Sequence, residues 1–377
     1  MEKHYTFSAP GRTEISGNHT DHQCGCVLAA AVNLETVADV QLNNSNTIRV
    51  RSEGYPVVEV NLDNLNVIEH EKNTTAALIR GVAAAFVQRG AVLQGFDADV
   101  RSTVLPGSGL SSSAAFEVLM GTILNHLFFD QKLSDVEIAQ IGQYAENVYF
   151  GKPCGLMDQM ASSVGGMVFI DFEDPNHPVI EKIDFNLEKA GYALCIIDSG
   201  ADHADLTEEY AAIPNELKEI CSFFGKDVLR QIPEEAFLEK VPELRKIVPD
   251  RAILRAMHVY EENKRVRVQA AALKNEDLYA FFHCVKQCGQ SSWMYLQNIY
   301  PSGSVRKQEV AVVLAMCEKL LQGAGAYRVH GGGFAGTVQA FVPFKLLPKF
   351  KSEIEKVLGE GKCHVLNIRS AGGIRVR

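Results

Sequence analysis

Residues 104–117 read Val-Leu-Pro-Gly-Ser-Gly-Leu-Ser-Ser-Ser-Ala-Ala-Phe-Glu, and their flanks decide how the chain is read. Upstream, Phe96-Asp97-Ala98-Asp99-Val100 alternates apolar and polar residues, the period of a half-buried strand. Downstream, Phe116, Leu119, Met120, Ile123, Leu124 and Leu127 fall at the i, i+3, i+4, i+7 spacing of an amphipathic helix. The spacing predicts a strand that feeds a glycine and serine loop, which opens a helix. Gly107 and Gly109 let a ligand approach the backbone closely, and the helix start offers unpaired N–H groups. Ser111, Ser112 and Ser113 add hydroxyl donors, so the loop suits a polyphosphate. No Gly-Lys-Ser/Thr follows, so this is not a Walker A loop, nor does it fit a Rossmann fingerprint. By itself the loop reads equally as a capped loop-to-helix junction.

The 377 residues suffice for two or three domains at about 150 residues each. With 46% hydrophobic and 22% charged residues, the composition is that of an ordinary globular protein. The net charge of −9 argues against nucleic acid or an anionic membrane as partner. No apolar run approaches the roughly 18 residues of a membrane span, and the first five residues lack a signal peptide's basic start and apolar core. A cytoplasmic location and a monomer are expected. The nine cysteines are scattered and odd in number, so they are expected as free thiols.

Along the chain, 47–50 and 57–60 read as strands and 75–89 as a helix. Ser134 and Glu137 form a capping-box signature ahead of a helix carrying Ile138, Ile141, Ala145 and Val148, with Glu146 riding on it. The turn Gly151-Lys152-Pro153-Cys154-Gly155-Leu156-Met157 leads to Asp158, which is either an N-cap or a catalytic carboxylate. Residues 163–172 read as a strand pair around Gly165-Gly166, and the polar stretch 172–190 as a boundary. Beyond it, 192–198 is a buried strand, and 215–290 is mostly helical with Pro233, Pro242 and Pro249 as punctuation. A helix over 305–321 and a second glycine-rich turn, 327–336, lead into a strand at 338–342. Near the start, His19, Asp21 and His22 cluster on a loop as they would at a ligand. A metal site of His19, His22, Cys24 and Cys26 is disfavoured by the spacing of the cysteines, and a plain turn remains open.

Three stretches share one pattern: Pro10-Gly11-Arg12 with Gly17-Asn18-His19-Thr20-Asp21, Pro106 to Ala114, and Gly331-Gly332-Gly333-Phe334-Ala335-Gly336. In this order they resemble the three motifs of the GHMP small-molecule kinases. The early His-Thr-Asp and the block Cys154-Gly155-Leu156-Met157-Asp158-Gln159 resemble the galactokinase branch, and Ser370 to Ile374 is similar to that family's closing segment. The resemblance implies an α+β two-domain kinase. An N-terminal domain over 1–185 would be related to ribosomal protein S5 domain 2, and a ferredoxin-like domain would span 186–377, with the last strand able to return to the first domain.

By the same resemblance, Gly107, Ser108, Gly109, Leu110, Ser111, Ser112 and Ser113 would wrap the phosphates of ATP, and Ser113 and Glu146 would hold Mg2+. Asp158 and Arg12 would flank the reacting hydroxyl. Asn18, His19, Asp21, Gly155 and Tyr210 would bind the sugar. The implied reaction is transfer from ATP to the anomeric hydroxyl of galactose. Independently of the family, a carboxylate beside an arginine stays ionised and can accept a hydroxyl proton. The sequence departs from the galactokinase pattern at Asn18, where that family has glutamate, at His22, where it has an aromatic residue, and after Tyr210. Asn18 would tolerate a carboxylate at C6, so a galacturonate or N-acetylgalactosamine kinase is the alternative. A non-catalytic sensor of galactose and ATP is a further one, disfavoured by the intact serine loop.

Overall fold

The computed structural model describes residues 4–104, 109–201 and 206–377. In chain order the first elements are β1 (His4–Ser16), β2 (Cys26–Leu42), β3 (Thr47–Ser52), β4 (Val58–Asn61), α1 (Thr75–Gln88), β5 (Phe96–Ser102), α2 (Ser112–Phe128) and α3 (Asp135–Tyr144). They are followed by α4 (Met157–Val164), β6 (Met167–Asp171), β7 (Val179–Ile183), β8 (Tyr192–Asp198), α5 (Thr207–Phe223), α6 (Glu234–Leu244) and α7 (Asp250–Lys274). The chain closes with α8 (Leu278–Ser291), α9 (Glu309–Leu321), β9 (Ala326–His330), β10 (Thr337–Pro343), α10 (Leu347–Leu358), β11 (Cys363–Leu366) and β12 (Ile374–Arg375). Two compact units result: Met1–Thr13, Ala30–Gly166 and Ile368–Arg377 form one, and Glu14–Ala29 with Met167–Asn367 forms the other. Strands β1 and β2 each contribute to both.

The first unit is built on strands in the order β12-β1-β2-β5-β3-β4. Asp39 of β2 faces Asp99 of β5 antiparallel, while β3 runs parallel to β5 with Val50 opposite Ala98. The predicted periodicity of α2 is realised: Leu119, Met120, Ile123 and Leu124 pack with Ile79, Val82 and Phe86 of α1 and with Val40, Ile48 and Phe96 of the sheet. Each such side chain, fully buried, contributes roughly 1.5–3 kcal/mol of transfer free energy. The capping box also forms, with Glu137 N donating to Ser134 Oγ at 3.3 Å and Ser134 N donating to Glu137 Oε2 at 2.9 Å. The second unit carries an antiparallel sheet ordered β11-β8-β10-β9, with Ala340 opposite both Cys195 and Tyr327. Helices α9 and α10 cover it, and α5, α6 and α7 bury a separate core that includes Phe334.

Several local readings are revised. After α3 the chain widens into a π-helical turn over Ala145–Phe150. The extra residue per turn shifts the phase, so Val148 faces solvent and Tyr149 is buried. The expected strand pair at 163–172 is a helix end followed by a single strand, because Gly165 and Gly166, with φ of 72° and 70°, terminate α4. The polar stretch 172–190 contains β7, which pairs with β6. Pro233 and Pro249 stand at helix N-caps, whereas Pro242 lies inside α6, and α9 begins at Glu309 rather than 305. All nine cysteines are free thiols. Among the described residues, no helix is long and apolar enough to cross a membrane.

Candidate functional site

In the first unit, Ser111 occupies the N-cap position of α2 with φ 57° and ψ 68°, a left-handed conformation uncommon outside glycine. Its hydroxyl does not cap the helix. It donates instead to Asp158 Oδ2 at 2.7 Å, so the loop reads as more than a capped junction. Asp158 in turn is not an N-cap, since α4 has Leu156 at that position. From β1, Arg12 grips the same carboxylate with both arms, Nε on Oδ1 and Nη2 on Oδ2, each at 2.7 Å. Its third nitrogen, Nη1, donates to the carbonyl of Gly109, and its backbone N–H donates to Leu110 O at 3.0 Å, tying the loop to the strand. Burial pushes the Asp158 carboxyl up, but Arg12 and Ser111 outweigh it and hold the group below the ordinary carboxylate range. The Asp158 side chain keeps 30% of its surface exposed, against 10% for Arg12. The result is an ionised, oriented and accessible carboxylate.

Nearby, Ser113 Oγ lies 3.4 Å from Oε1 of Glu146, which lies in the π-helical turn. Lys152 Nζ reaches the same oxygen at 3.2 Å. The other oxygen, Oε2, accepts from Gln159 Nε2 at 2.8 Å, and that amide also donates to Glu117 Oε2 at 2.9 Å. Burial first, and then the neighbouring Glu146, push the Glu117 carboxyl well above the ordinary carboxylate range. Oε1 of Glu117 and Oε1 of Gln159 find no hydrogen-bond partner among the described residues. Leu110 is fully buried, Ser112 is exposed and Gly155 is half-buried on the turn before α4. Gly107 and Ser108 lie outside the described residues.

In the second unit the loop Gly17–Asp21 meets the glycine turn 331–333. Asn18 is buried, with Nδ2 donating to Gly331 O at 2.6 Å and to Glu14 Oε1 at 3.2 Å, and Oδ1 accepting from Asn298 Nδ2 at 2.9 Å. His19, held at φ 60°, directs Nε2 to Gly332 O at 3.2 Å, and Tyr210 OH donates to Gly333 O at 2.8 Å. All three carbonyls of the turn are therefore bound by side chains. Burial, then His22, lower the His19 pKa to about 3, so the ring is neutral near pH 7. Asp21 sits in a short 3-10 turn, its Oδ1 accepting from His22 N at 2.9 Å. Beneath the loop, Glu262 Oε1 accepts from Ser16 Oγ, Gly17 N and Cys288 Sγ at 2.9, 3.0 and 2.9 Å, and Arg328 pairs with Glu14. His258 joins this buried layer through Asn18 O at 3.0 Å and Ser291 Oγ at 2.8 Å.

The structure thus joins Arg12, Ser111 and Asp158, joins Ser113 with Glu146, and joins Asn18, His19 and Tyr210 through one turn. Sequence reasoning missed Glu117, Lys152 and Gln159, although all three lie inside motifs it quoted. It also missed Glu14, Glu262, Asn298 and Arg328, for which the sequence carries no local signal. No cluster of three or more His, Cys, Asp or Glu suited to a metal ion is found among the described residues.

Residues 77–166 match the family described as GHMP kinases N terminal domain, and residues 1–42 match the galactokinase galactose-binding signature. Among solved structures, the galactokinase of Lactococcus lactis complexed with galactose is similar at 23% identity and a TM-score of 0.83, covering 99% of this chain and 95% of that one. A mevalonate kinase from Methanococcus jannaschii is similar at 15% identity and 0.67, with 97% and 98% coverage. A mevalonate diphosphate decarboxylase from Staphylococcus aureus reaches 0.62 at 12% identity, with 100% and 99% coverage. At these identities the likeness establishes the fold, α+β and of GHMP kinase type, and the fold alone selects no substrate.

Proposed function

We propose that this chain, a phosphotransferase with an alcohol acceptor that carries the GHMP kinases' N-terminal domain and the galactokinase galactose-binding signature, phosphorylates the anomeric hydroxyl of a galactose-like sugar. ATP is the donor substrate. The observation that carries this reading is the clamped carboxylate: Asp158 held by Arg12 and Ser111, ionised and still partly open to solvent.

Phosphoryl transfer asks the protein for positioning and charge stabilisation more than for covalent chemistry. Asp158 takes the proton of the sugar hydroxyl as its oxygen bonds to the γ-phosphorus, and the bond to ADP breaks with the electron pair leaving on ADP. Arg12 keeps Asp158 unprotonated and presents positive charge where the phosphoryl group and the alkoxide develop negative charge. Residues 109–113 continue from the strand β5 side into α2, whose first N–H groups suit phosphate oxygens. In the second unit Asp21 supplies a short polar group suited to sugar hydroxyls, and His19 and Tyr210, held on the glycine turn, would line the sugar.

For magnesium the donors fit. Ser113 and Glu146 are hard oxygen ligands already 3.4 Å apart, and Mg2+ is usually held by one or two carboxylates together with substrate phosphates, so no three-carboxylate cage is required. When bound, the ion supplies neutralisation of phosphate charge.

A second reading rests on Asn18, an amide where the galactokinase pattern has glutamate, so the position brings no charge of its own to repel a uronate. A panel of galactose, galacturonate, N-acetylgalactosamine, arabinose and glucose with ATP and Mg2+, read by ADP release and by the position of the new phosphate, separates the two. Galactose turnover to the 1-phosphate is expected; preferential use of galacturonate would establish the second reading, and no turnover of any sugar would refute both.

A further inference from the structure

Lys152 belongs to none of the roles assigned above, yet it is the cation that reaches Glu146 among the described residues. The pair is lopsided. The Glu146 side chain is 4% exposed, whereas that of Lys152 is 61% exposed. Its root is fixed: the backbone N–H groups of Gly151 and Lys152 both donate to the carbonyl of Glu146, at 3.0 and 3.1 Å. Pro153 follows at once, and Gly151 adopts φ 87° to make the bend. The lysine is thus rooted on the very residue whose carboxylate it covers, while most of its side chain faces solvent.

A carboxylate buried without a cation is costly, and Gln159 offers only an amide hydrogen bond on the far oxygen. The ion pair is on the near oxygen, Oε1, the same atom that faces Ser113. Two cations cannot share that atom comfortably, because like charges a few ångströms apart repel. A mostly exposed ammonium gives up little when it leaves, since water receives it.

We propose that Lys152 is an exchangeable counterion: it neutralises Glu146 Oε1 until a divalent cation takes that oxygen together with Ser113, and is then released toward the phosphates that arrive with the ion. This inference rests on the assignment of Ser113 and Glu146 as metal ligands. Its consequence is that Lys152 competes with metal in the nucleotide-free protein and aids nucleotide in the metal-free protein.

The test uses the full chain and Mn2+ as probe, with free Mn2+ followed by electron paramagnetic resonance in the absence of nucleotide. Lys152→Met is expected to bind Mn2+ about three- to tenfold more tightly than the unaltered protein, the scale of one lost half-buried ion pair. Lys152→Arg, which keeps the charge, is expected to match the unaltered protein, and adding Glu146→Gln to Lys152→Met should abolish the gain. In EDTA, ADP measured by calorimetry should bind Lys152→Met several-fold more weakly. A purely structural lysine would lower thermal stability with Mn2+ affinity unmoved, and equal, weaker or unmeasurable Mn2+ binding by Lys152→Met overturns the proposal. Absence of Mn2+-ADP binding to the unaltered protein would instead strike the kinase reading itself.

Discussion

Asp158 in the first unit and Glu262 in the second are both carboxylates held below their ordinary range, and they do opposite things. Burial works against each charge, and arginines overcome it: Arg12 at Asp158, Arg265 with His258 and Arg328 at Glu262. What separates them is access. Glu262 is fully buried, and its oxygens are taken by Ser16, Gly17, Cys288 and Arg265. Asp158 has two partners on one side and a surface open on the other. A depressed carboxylate therefore marks a functional candidate only when a reacting atom can reach it; when every lone pair is consumed, the same electrostatics make a scaffold.

The sharpest way to break this contrast is Asp158→Asn, which keeps the shape and removes the proposed base. Turnover measured by ADP release is expected to fall by about a hundredfold to ten-thousandfold. Near-normal turnover would reduce Asp158 to a positioning group. On the other side, Glu262→Ala leaves Arg265 and the Gly17 amide without their acceptor in a dry interior. It should cost about 3–5 kcal/mol in denaturant unfolding, whereas Asp158→Asn should unfold at close to the original midpoint. Comparable losses of stability in both variants would erase the distinction.

Acid should act on the second unit before it acts on Asp158. His258 is buried, and burial lowers its pKa to about 4 from an ordinary 6.5. Between those values the unfolded chain binds more protons than the folded one, so stability rises with pH across that window and is lost as pH falls through it. At pH 5 the loss from His258 is about 2 kcal/mol, and His19, lowered to about 3, adds a similar amount. His258→Gln should remove roughly half of the drop in melting stability between pH 6.5 and 5; an unchanged slope would mean that another group titrates.

The smallest effect expected is at Ser111. Ser111→Ala deletes one charge-assisted hydrogen bond to Asp158, a change of about tenfold in kcat/KM. Because that hydroxyl helps hold the carboxyl down, the acid limb of the kcat/KM profile should move to higher pH. A limb that stays in place would assign the depression to Arg12 alone.

Much of the fold could be read from residue order. The strand into α2, the spacing of its core residues and the box at Ser134 are set by interactions between residues at most a few positions apart. The failures have equally local causes. Val148 was misplaced because a π-helical turn breaks the 3.6-residue period, and 163–172 because Gly165-Gly166 ended a helix instead of joining two strands. The motif residues of the candidate site were visible as well, Arg12, Ser111, Ser113, Glu146 and Asp158 among them. Their supporting groups were only partly so. Gln159 stands beside Asp158 in sequence, but Glu14 finds Arg328 across 314 positions and Asn18 finds Asn298 across 280.

The amino-acid order by itself determined most of the strands and helices and which loops are rich in glycine, serine and carboxylates, since those outcomes depend chiefly on neighbours along the chain. Tertiary structure alone decided that the Glu117 carboxyl is pushed up while that of Asp158 is held down, that Asn18 is spent on its own protein, and that Glu262 is sealed while Asp158 is open. The physical reason is that charge state and access follow from burial and from partners far away in sequence, and only packing brings those to the same place.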